Sequence, residues 1–241
     1  MNMINIARSL FGTITRRNVT FSLCRLCVLT GLLMVTGAHR LSAADIGASL
    51  KFGSPGFGGD MTVDISEKLN LRTGLNYFSL TIRPEEERAD SENITAELRL
   101  LTIPLLVDWH PYPGNFRLSA GLAWNGNKIS ASAKPGEELD FNDRAYLVDD
   151  FYGKISFNRI SPYLGFGYGN AVAGESRWTL ALDIGVFYHG APQVAAHATA
   201  AHPALQPAMD RDLAKEVADL EDDLRPYRFY PVLTLGLSYR F

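Results

Sequence analysis

The sequence predicts an all-β fold, an eight-stranded antiparallel up-and-down transmembrane β-barrel with one amphipathic helix in its last external loop. Three observations predict it. The chain ends in a segment of period-two alternation, seven earlier segments repeat that alternation, and short turns alternate with long connections. Each alternating strand presents one apolar face, which would meet lipid, and one small or polar face, which would line a barrel. A water-soluble β-protein, such as a sandwich, is the alternative.

The last fifteen residues, 227–241, show the alternation at the end of the chain. The positions between the apolar ones are small or polar, apart from Tyr230 and Val232. A strand turns such an apolar set to one face. An apolar face that ends in an aromatic residue at the end of the chain is typical of the last strand of a transmembrane β-barrel. The apolar set is Phe229, Pro231, Leu233, Leu235, Leu237, Tyr239 and Phe241.

Residues 1–44 have the features of an export signal. They contain five arginines and no acidic residue, with an apolar run at 26–35 and small residues at 42–44. This order predicts a signal peptide that is cleaved after residue 44 and one barrel domain over 45–241. The apolar run is shorter than the ~20 residues that a transmembrane helix needs. Cys24 and Cys27 both fall within the signal, so we expect no disulfide or thiolate metal site in the exported chain.

The exported part of the chain is acidic. Removing 1–44 takes five of the 23 basic residues and none of the 26 acidic ones, which leaves a net charge of −8. An acidic surface argues against a nucleic-acid partner and against a polybasic membrane-binding patch.

Eight alternating segments follow one another in the exported chain. They span approximately 46–53, 57–65, 69–80, 94–109, 116–125, 154–168, 178–189 and 229–241. Barrels of this kind have short periplasmic turns and longer external loops. The short connections are 66–68, 110–115 and 169–176, and the long ones are 83–93, 130–153 and 190–226. The turn at 54–56 departs from the pattern, because it is short where a long external loop is expected.

The register of the fourth segment, 94–109, is ambiguous because large apolar side chains load both of its faces. We favour the register that turns Asp108 inward, and the opposite register stays open. In the favoured register the outward set is Leu101, Ile103, Leu105, Val107 and Trp109.

Residues 207–225, in the last long connection, predict an amphipathic helix. Pro207 favours a helix start and Pro226 a stop, and most of the remaining positions are acidic or basic. Three placements are open: the helix caps the external mouth, folds into it, or lies across neighbouring loops. Apolar residues recur at three- and four-residue steps, at Met209, Leu213, Val217, Leu220 and Leu224.

Aromatic residues recur near the ends of the predicted strands, in a Gly-apolar-x-aromatic pattern that occurs five times. Amphipathic rings favour the interface between membrane and water. We therefore predict two aromatic belts, with ordinary strand positions as the alternative. The predicted belt residues are Tyr77, Trp109, Trp124, Tyr168, Trp178 and Tyr188.

Eight charged side chains face the predicted barrel interior. Such a barrel is just wide enough to be filled by side chains, and an unpaired buried charge is costly. We therefore predict that these groups pair as a lumen charge network. A narrow polar pathway, or a carboxylate pair acting as acid and base, is the functional alternative. The eight residues are Lys51, Asp60, Asp64, Arg72, Asp108, Arg117, Asp183 and Arg240.

We expect no catalytic residue, no cofactor and no metal, because no motif in the chain points to one. His189 is predicted inward near the external rim, with Asp183 on the same strand, but nothing links Ser79 or Ser119 to it as a nucleophile. Phosphate-binding glycine loops and dinucleotide motifs are absent from the sequence. One histidine pair lacks a third ligand and is interpreted as part of a loop: His197 and His202.

The signal, the eight alternating strands, the aromatic belts and the Tyr-x-Phe ending carry a resemblance to a known family. With these features the mature chain resembles the small eight-stranded outer-membrane barrels of the OmpA-domain and OmpW kind. Six short motifs add to this: Phe57-Gly58-Gly59-Asp60, Leu69-Asn70-Leu71-Arg72, Asp108-Trp109-His110-Pro111, Phe116-Arg117-Leu118-Ser119, Pro162-Tyr163-Leu164-Gly165 and Phe229-Tyr230-Pro231-Val232. By these motifs the chain looks more closely like a group of uncharacterised outer-membrane barrel proteins, and the resemblance covers nearly all of 45–241.

The resemblance implies an outer-membrane location of the Gram-negative type, contact with outer-membrane lipid and lipopolysaccharide, and a monomer. It also implies that Tyr239 and Phe241 form the signal that the barrel-assembly machinery reads. It supplies no catalytic residue. The function expected first is non-enzymatic, in a structural or surface-interaction role. A narrow channel for small or hydrophobic solutes and a lipid A-modifying barrel enzyme are the alternatives.

Overall fold

The computed structural model describes residues 45–82, 94–173 and 176–241. The predicted signal peptide 1–44 and the charged loop 83–93 lie outside these residues, and the signal peptide stays a prediction. Twelve strands and one α-helix, α1, follow in chain order. Their bounds are β1 Ile46–Gly53, β2 Gly56–Ser66, β3 Leu69–Ile82, β4 Ile94–Trp109, β5 Phe116–Asn125, β6 Lys128–Ala133, β7 Glu137–Phe141, β8 Arg144–Ser156, β9 Ile160–Tyr168, β10 Trp178–Tyr188, β11 Gln193–Ala200, α1 Gln206–Leu224 and β12 Phe229–Arg240.

Eight of these strands close into an antiparallel barrel. The order around the wall is β1, β2, β3, β4, β5, β9, β10 and β12, and β12 pairs with β1 to close it. This confirms the predicted eight-stranded antiparallel fold. We call the end with the short turns the periplasmic end and the opposite end the external end, following the predicted orientation.

The wall alternates as the period-two pattern predicts. In β4, Leu105 is 55% exposed on the outer face, whereas Leu106 is 4% exposed in the interior. The strand therefore has the favoured register, with Asp108 inward. Pro104 also faces inward, where it cannot donate to a ladder, and its carbonyl accepts the Thr73 hydroxyl at 2.9 Å.

Two predicted boundaries at the external end are wrong. The predicted strand 154–168 is two strands, because β8 ends at Ser156 and β9 begins at Ile160. Residues 130–153, predicted as a polar connection, contribute to β6, β7 and β8 instead. The charged residues of this region lie mostly on the solvent side of the strands. Because they are numerous, the period-two pattern of the apolar residues between them is hard to recognise in the sequence. Residues 193–200 also form a strand, which the sequence did not predict. The segment is rich in alanine, a residue that is depleted in strands.

β4 connects the barrel to a second sheet. Residues 102–109 of β4 pair with β5 in the barrel wall, whereas residues 94–99 pair with β6. β8 then pairs with β6, β11 pairs with β8, and β7 forms a hairpin with β8. We call 94–99 of β4 together with β6, β7, β8 and β11 the external sheet. At the branch point the Asn127 side chain accepts the Leu101 amide at 2.8 Å.

Helix α1 lies across the external sheet, which is the third of the placements left open. Its predicted range, 207–225, agrees closely with Gln206–Leu224. Gln206 fastens its start, because the side chain donates to the Ala198 carbonyl and accepts the Ala200 amide. Among the described residues no helix is both long and apolar enough to span a bilayer. The buried cluster between helix and sheet contains Leu139, Phe141, Tyr146, Val148, Phe151, Met209, Leu213 and Leu220.

Candidate functional site: the barrel interior

Arg72 lies at the centre of the barrel interior and is 5% exposed. Its guanidinium donates to both carboxylate oxygens of Asp108, at 2.7 and 3.0 Å. It also donates to both oxygens of Asp183, at 3.1 and 3.2 Å, and to Asp60 at 3.3 Å. One cation therefore connects carboxylates from three different strands.

Two further cations complete the charge balance of the cluster. The Lys51 ammonium donates to Asp60 at 2.5 Å, and the Arg117 guanidinium donates to Asp183 at 2.7 Å. Arg117 also donates to the Gly169 carbonyl, which ties the cluster to the periplasmic turn. Three cations thus face three carboxylates. This pairing offsets the desolvation that burying each charge requires.

Two hydroxyls that are not among the eight predicted lumen residues also belong to this cluster. Ser119 donates to Asp108 at 2.5 Å, and Thr234 donates to Asp183 at 3.3 Å. Both residues lie on the inward face of their strands, in step with Arg117 on β5 and Arg240 on β12. The alternation of each strand therefore predicts that these hydroxyls point inward. Only the closed barrel shows which carboxylate each hydroxyl contacts.

The interior leaves a cavity of only about 20 Å³ around these groups. A space of that size holds about one water molecule. Below it, Asn70 lies 3.2 Å from the His110 ring and donates to Asn170 at 3.1 Å, which closes the periplasmic end. Burial, followed by the nearby Arg117 guanidinium, lowers the pKa of His110, which favours the neutral ring. The interior is thus filled by side chains.

Six of the eight predicted lumen residues lie in or beside this cluster, namely Lys51, Asp60, Arg72, Asp108, Arg117 and Asp183. The other two do not join it. Asp64 is half-buried four residues beyond Asp60 towards the periplasmic rim, and Arg240 is half-buried at the end of β12.

The structure does not bring the residues considered for a triad together. Ser119 and Gly185 both pair with Gly165, so they lie at the same height in the barrel wall. Gly185 precedes His189 by four residues, which places Ser119 about 13 Å of strand below His189. Ser79 is exposed on the outer face, and Asp183 is engaged by the two arginines. Within the described ranges no group of three or more His, Cys, Asp or Glu residues is placed to hold a metal ion.

The predicted belt residues lie on the outer face in two groups. Trp109, Tyr168 and Trp178 are near the periplasmic rim, and Trp178 packs on Tyr239 with ring centroids 4.8 Å apart. The external group is Tyr77, Trp124 and Tyr188. Eight residues separate Tyr77 from Leu69, the partner of Trp109, which corresponds to about 26 Å along a tilted strand. With the ~35–45° tilt of such strands, this length spans roughly 20 Å across the membrane, somewhat less than the ~25 Å apolar band of membrane barrels.

A second polar cluster clamps α1 to the external sheet. Asp212 of α1 accepts the Tyr146 hydroxyl at 2.6 Å and lies 3.4 Å from the Arg144 guanidinium. Asn142 donates to the same carboxylate at 3.3 Å. Asn142 and Asp143 both have positive φ, as the two-residue turn between β7 and β8 requires. The hydrogen bond from Tyr146 is the largest factor that lowers the pKa of Asp212.

Replacing Tyr146 by phenylalanine is expected to loosen this clamp at a higher pH. A carboxyl whose folded pKa is lowered contributes stability above its unfolded pKa of ~3.9, and that contribution is lost as pH falls through the folded value. Without the Tyr146 hydroxyl the pKa of Asp212 rises. The stability that the ionised Asp212 contributes to the contact between α1 and the external sheet is then lost at a higher pH than in the parent. Hydrogen exchange of α1 amides across the acidic range measures this. Tyr152→Phe, exposed on the opposite face of β8, is the control, and equal pH midpoints for Tyr146→Phe and the parent would contradict the clamp.

Comparison with known proteins concerns the fold. No protein-family model matches the chain, and no curated protein sequence matches it. A crystal structure of CarO from Acinetobacter baumannii is 18% identical, covers 81% of this chain and 97% of that chain, and has a TM-score of 0.52. CarO2 from the same organism is 16% identical, with 83% and 100% covered and a TM-score of 0.53. A major outer membrane protein from Thermus thermophilus is 16% identical, with 83% and 100% covered and a TM-score of 0.42.

At these identities the two CarO structures support the barrel architecture alone. The barrel of this chain is therefore similar to that of CarO.

Proposed function

We propose that this chain is a non-enzymatic integral outer-membrane β-barrel that is closed to solutes through its centre and presents a folded unit, the external sheet with α1, outside the membrane. The observation that carries the proposal is that the barrel wall is polar on its inner face and apolar on its outer face, the reverse of a water-soluble protein. The interior holds the buried ion cluster, while the outer wall exposes large apolar side chains.

The outer wall supports membrane insertion. Leu164 is 66% exposed, Leu180 is 74% exposed and Leu233 is 55% exposed, and their neighbours on the same face are also apolar. Water-soluble monomers rarely expose contiguous apolar patches of more than a few hundred Å². Lipid is the environment in which such a band is favourable. The aromatic residues at its two edges support the same conclusion.

The filled interior supports a sealed barrel rather than a channel. Arg72, Arg117 and Lys51 are each held by carboxylates, and the remaining space accommodates about one water. A conducting pathway would need a continuous column of water past these groups. We therefore favour the structural and surface-interaction role over the channel.

The external unit and the chain end supply the proposed partners. Outer-membrane lipid and lipopolysaccharide would surround the apolar wall, and the barrel-assembly machinery would read Tyr239 and Phe241, both of which lie on the outer wall at the periplasmic end. We further propose that the barrel is monomeric. Its resemblance to OmpA-domain and OmpW barrels stays a prediction.

Two measurements on the purified protein test the proposal. Unheated protein is expected to migrate faster than heated protein on SDS gels, because a closed barrel stays compact in detergent. In planar bilayers it is expected to give no openings above the background of protein-free membranes. Stepwise openings would contradict the sealed interior, and a mobility that heating does not change would contradict the membrane barrel.

A further inference from the structure

An apolar cavity of about 630 Å³ lies at the external mouth, above the ion cluster. Ligand pockets in proteins occupy roughly 300–1,000 Å³. Phe78 and Leu100 line it from the inner wall of the barrel, Ile129 and Phe157 from the external sheet and the segment that follows it, and Tyr227 from the segment that follows α1. Among the residues that the structure describes, the lining carries no formal charge other than what His189 can acquire.

A notch in the barrel wall borders this cavity. The β1–β2 hairpin ends at the pair Gly53 and Gly56. Tyr77 of β3 is the partner of Phe57, so the next residue, Phe78, is level with Gly56, and β3 continues four residues beyond it. β12 begins five residues before Thr234, the partner of Gly53. The neighbouring strands therefore continue about 13 Å and about 17 Å of strand beyond this glycine pair. This hairpin contains the turn at 54–56, which is short where the predicted pattern expects a long external loop.

The cavity reaches the outer wall over the hairpin. Phe52 and Phe57 face outward, are more than half exposed, and line the cavity together with the inward-facing Phe78. The same two phenylalanines line a groove of about 560 Å³ that runs down the outer wall past Leu235. Ser54 fastens the hairpin to β12 through the Pro231 carbonyl, at 2.9 Å. The apolar surface is thus continuous from the mouth to the face that we propose meets lipid.

One polar group is buried in the cavity wall without a partner. His189 is 7% exposed, and its Nδ1 has no hydrogen-bond partner among the described residues. The ring stands edge-on to Phe157, with centroids 4.3 Å apart. Burial lowers the pKa of His189, against a hydrogen bond with the Phe229 backbone that raises it, and the net shift favours the neutral imidazole. A buried nitrogen without a partner is unfavourable, and a bound polar group would satisfy it.

We propose that this cavity binds a single-chain amphiphile with an uncharged hydroxyl head group, which hydrogen-bonds His189 Nδ1 while its hydrocarbon chain passes through the notch over Phe52 and Phe57. The uncharged lining favours an uncharged head group, and the apolar continuity with the outer wall makes the bilayer the source. This inference rests on the proposed membrane insertion.

Photolabelling with a long-chain alcohol that carries a diazirine tests the site. The intact protein is placed in phosphatidylcholine vesicles, and labelled residues are mapped by mass spectrometry. We expect labels on mouth-facing residues such as Phe78 and Phe157, with competition by 1-hexadecanol that exceeds competition by hexadecane or palmitate. His189→Phe is expected to reduce mouth labelling at least several-fold, whereas His197→Phe, on the exposed face of β11, leaves it unchanged.

The labelling pattern separates this inference from the proposed function. Labels on outer-wall residues such as Leu180 report insertion independently of the cavity. Outer-wall labels without mouth labels, or mouth labels that His189→Phe leaves unchanged, would overturn the site alone. Absence of both would overturn membrane insertion as well. The probe is delivered in two ways, either preloaded in the bilayer or supplied from water on a cyclodextrin carrier. Mouth labelling that occurs only with delivery from water would overturn entry through the notch.

Discussion

Replacing Arg72 by methionine is expected to destabilise the barrel by about 3–5 kcal/mol, the usual cost of removing one partner of a buried ion pair. The guanidinium is the common partner of Asp60, Asp108 and Asp183, and methionine offers none of them a donor. Ser119, Lys51 and Arg117 would retain some of the carboxylate contacts, but three buried acids would then share two cations. Urea unfolding of the protein in lipid vesicles measures the free energy of unfolding.

Arg144→Met is the matched control for this change. Arg144 also pairs with an aspartate, Asp212, but its side chain is 67% exposed. Exposed ion pairs contribute about 0–1 kcal/mol, so the control is expected to stay close to the parent. Equal losses in the two variants would show that the interior cluster is hydrated, and would contradict the sealed barrel.

Replacing Leu235 by arginine is expected to cost about 2–4 kcal/mol, the cost of a cation on the lipid face near the bilayer midplane. Leu235 is 51% exposed in the middle of β12, between Phe52 of β1 and Leu182 of β10. In water a residue exposed to this degree would tolerate arginine. The predicted loss therefore depends on lipid as the surrounding medium, and it is measured by the same unfolding experiment in vesicles.

Leu147→Arg provides the comparison for Leu235→Arg. Leu147 is 44% exposed on the external sheet, so a similar fraction of a similar side chain is replaced outside the predicted membrane band. A surface substitution of this kind usually changes stability by less than about 0.5 kcal/mol. If both arginine variants unfold with the free energy of the parent, the outer wall meets water, and the proposed location is wrong.

The two wrong strand boundaries show where reading the chain alone fails. Period two is a local property, so strands with one wholly apolar face, such as β10 and β12, could be recognised from their own residues. β8 and β11 are different, although their buried faces also pack in the cluster with α1. The buried face of β11 carries small residues such as Ala198, and in β8 two consecutive exposed aspartates interrupt the alternation between Val148 and Phe151. Their burial comes from a partner that is distant in sequence, and a local pattern does not contain that information.

Strand alternation determined the barrel wall, the inward direction of the charged residues and the position of the short turn at 54–56. Only the tertiary structure decided that Arg72 connects three carboxylates, that β4 divides between two sheets, and that the short turn borders an apolar cavity beside His189. The reason is that side-chain direction follows from neighbouring residues in the chain, whereas contacts across the interior depend on the register of eight strands and on the closure of β1 against β12.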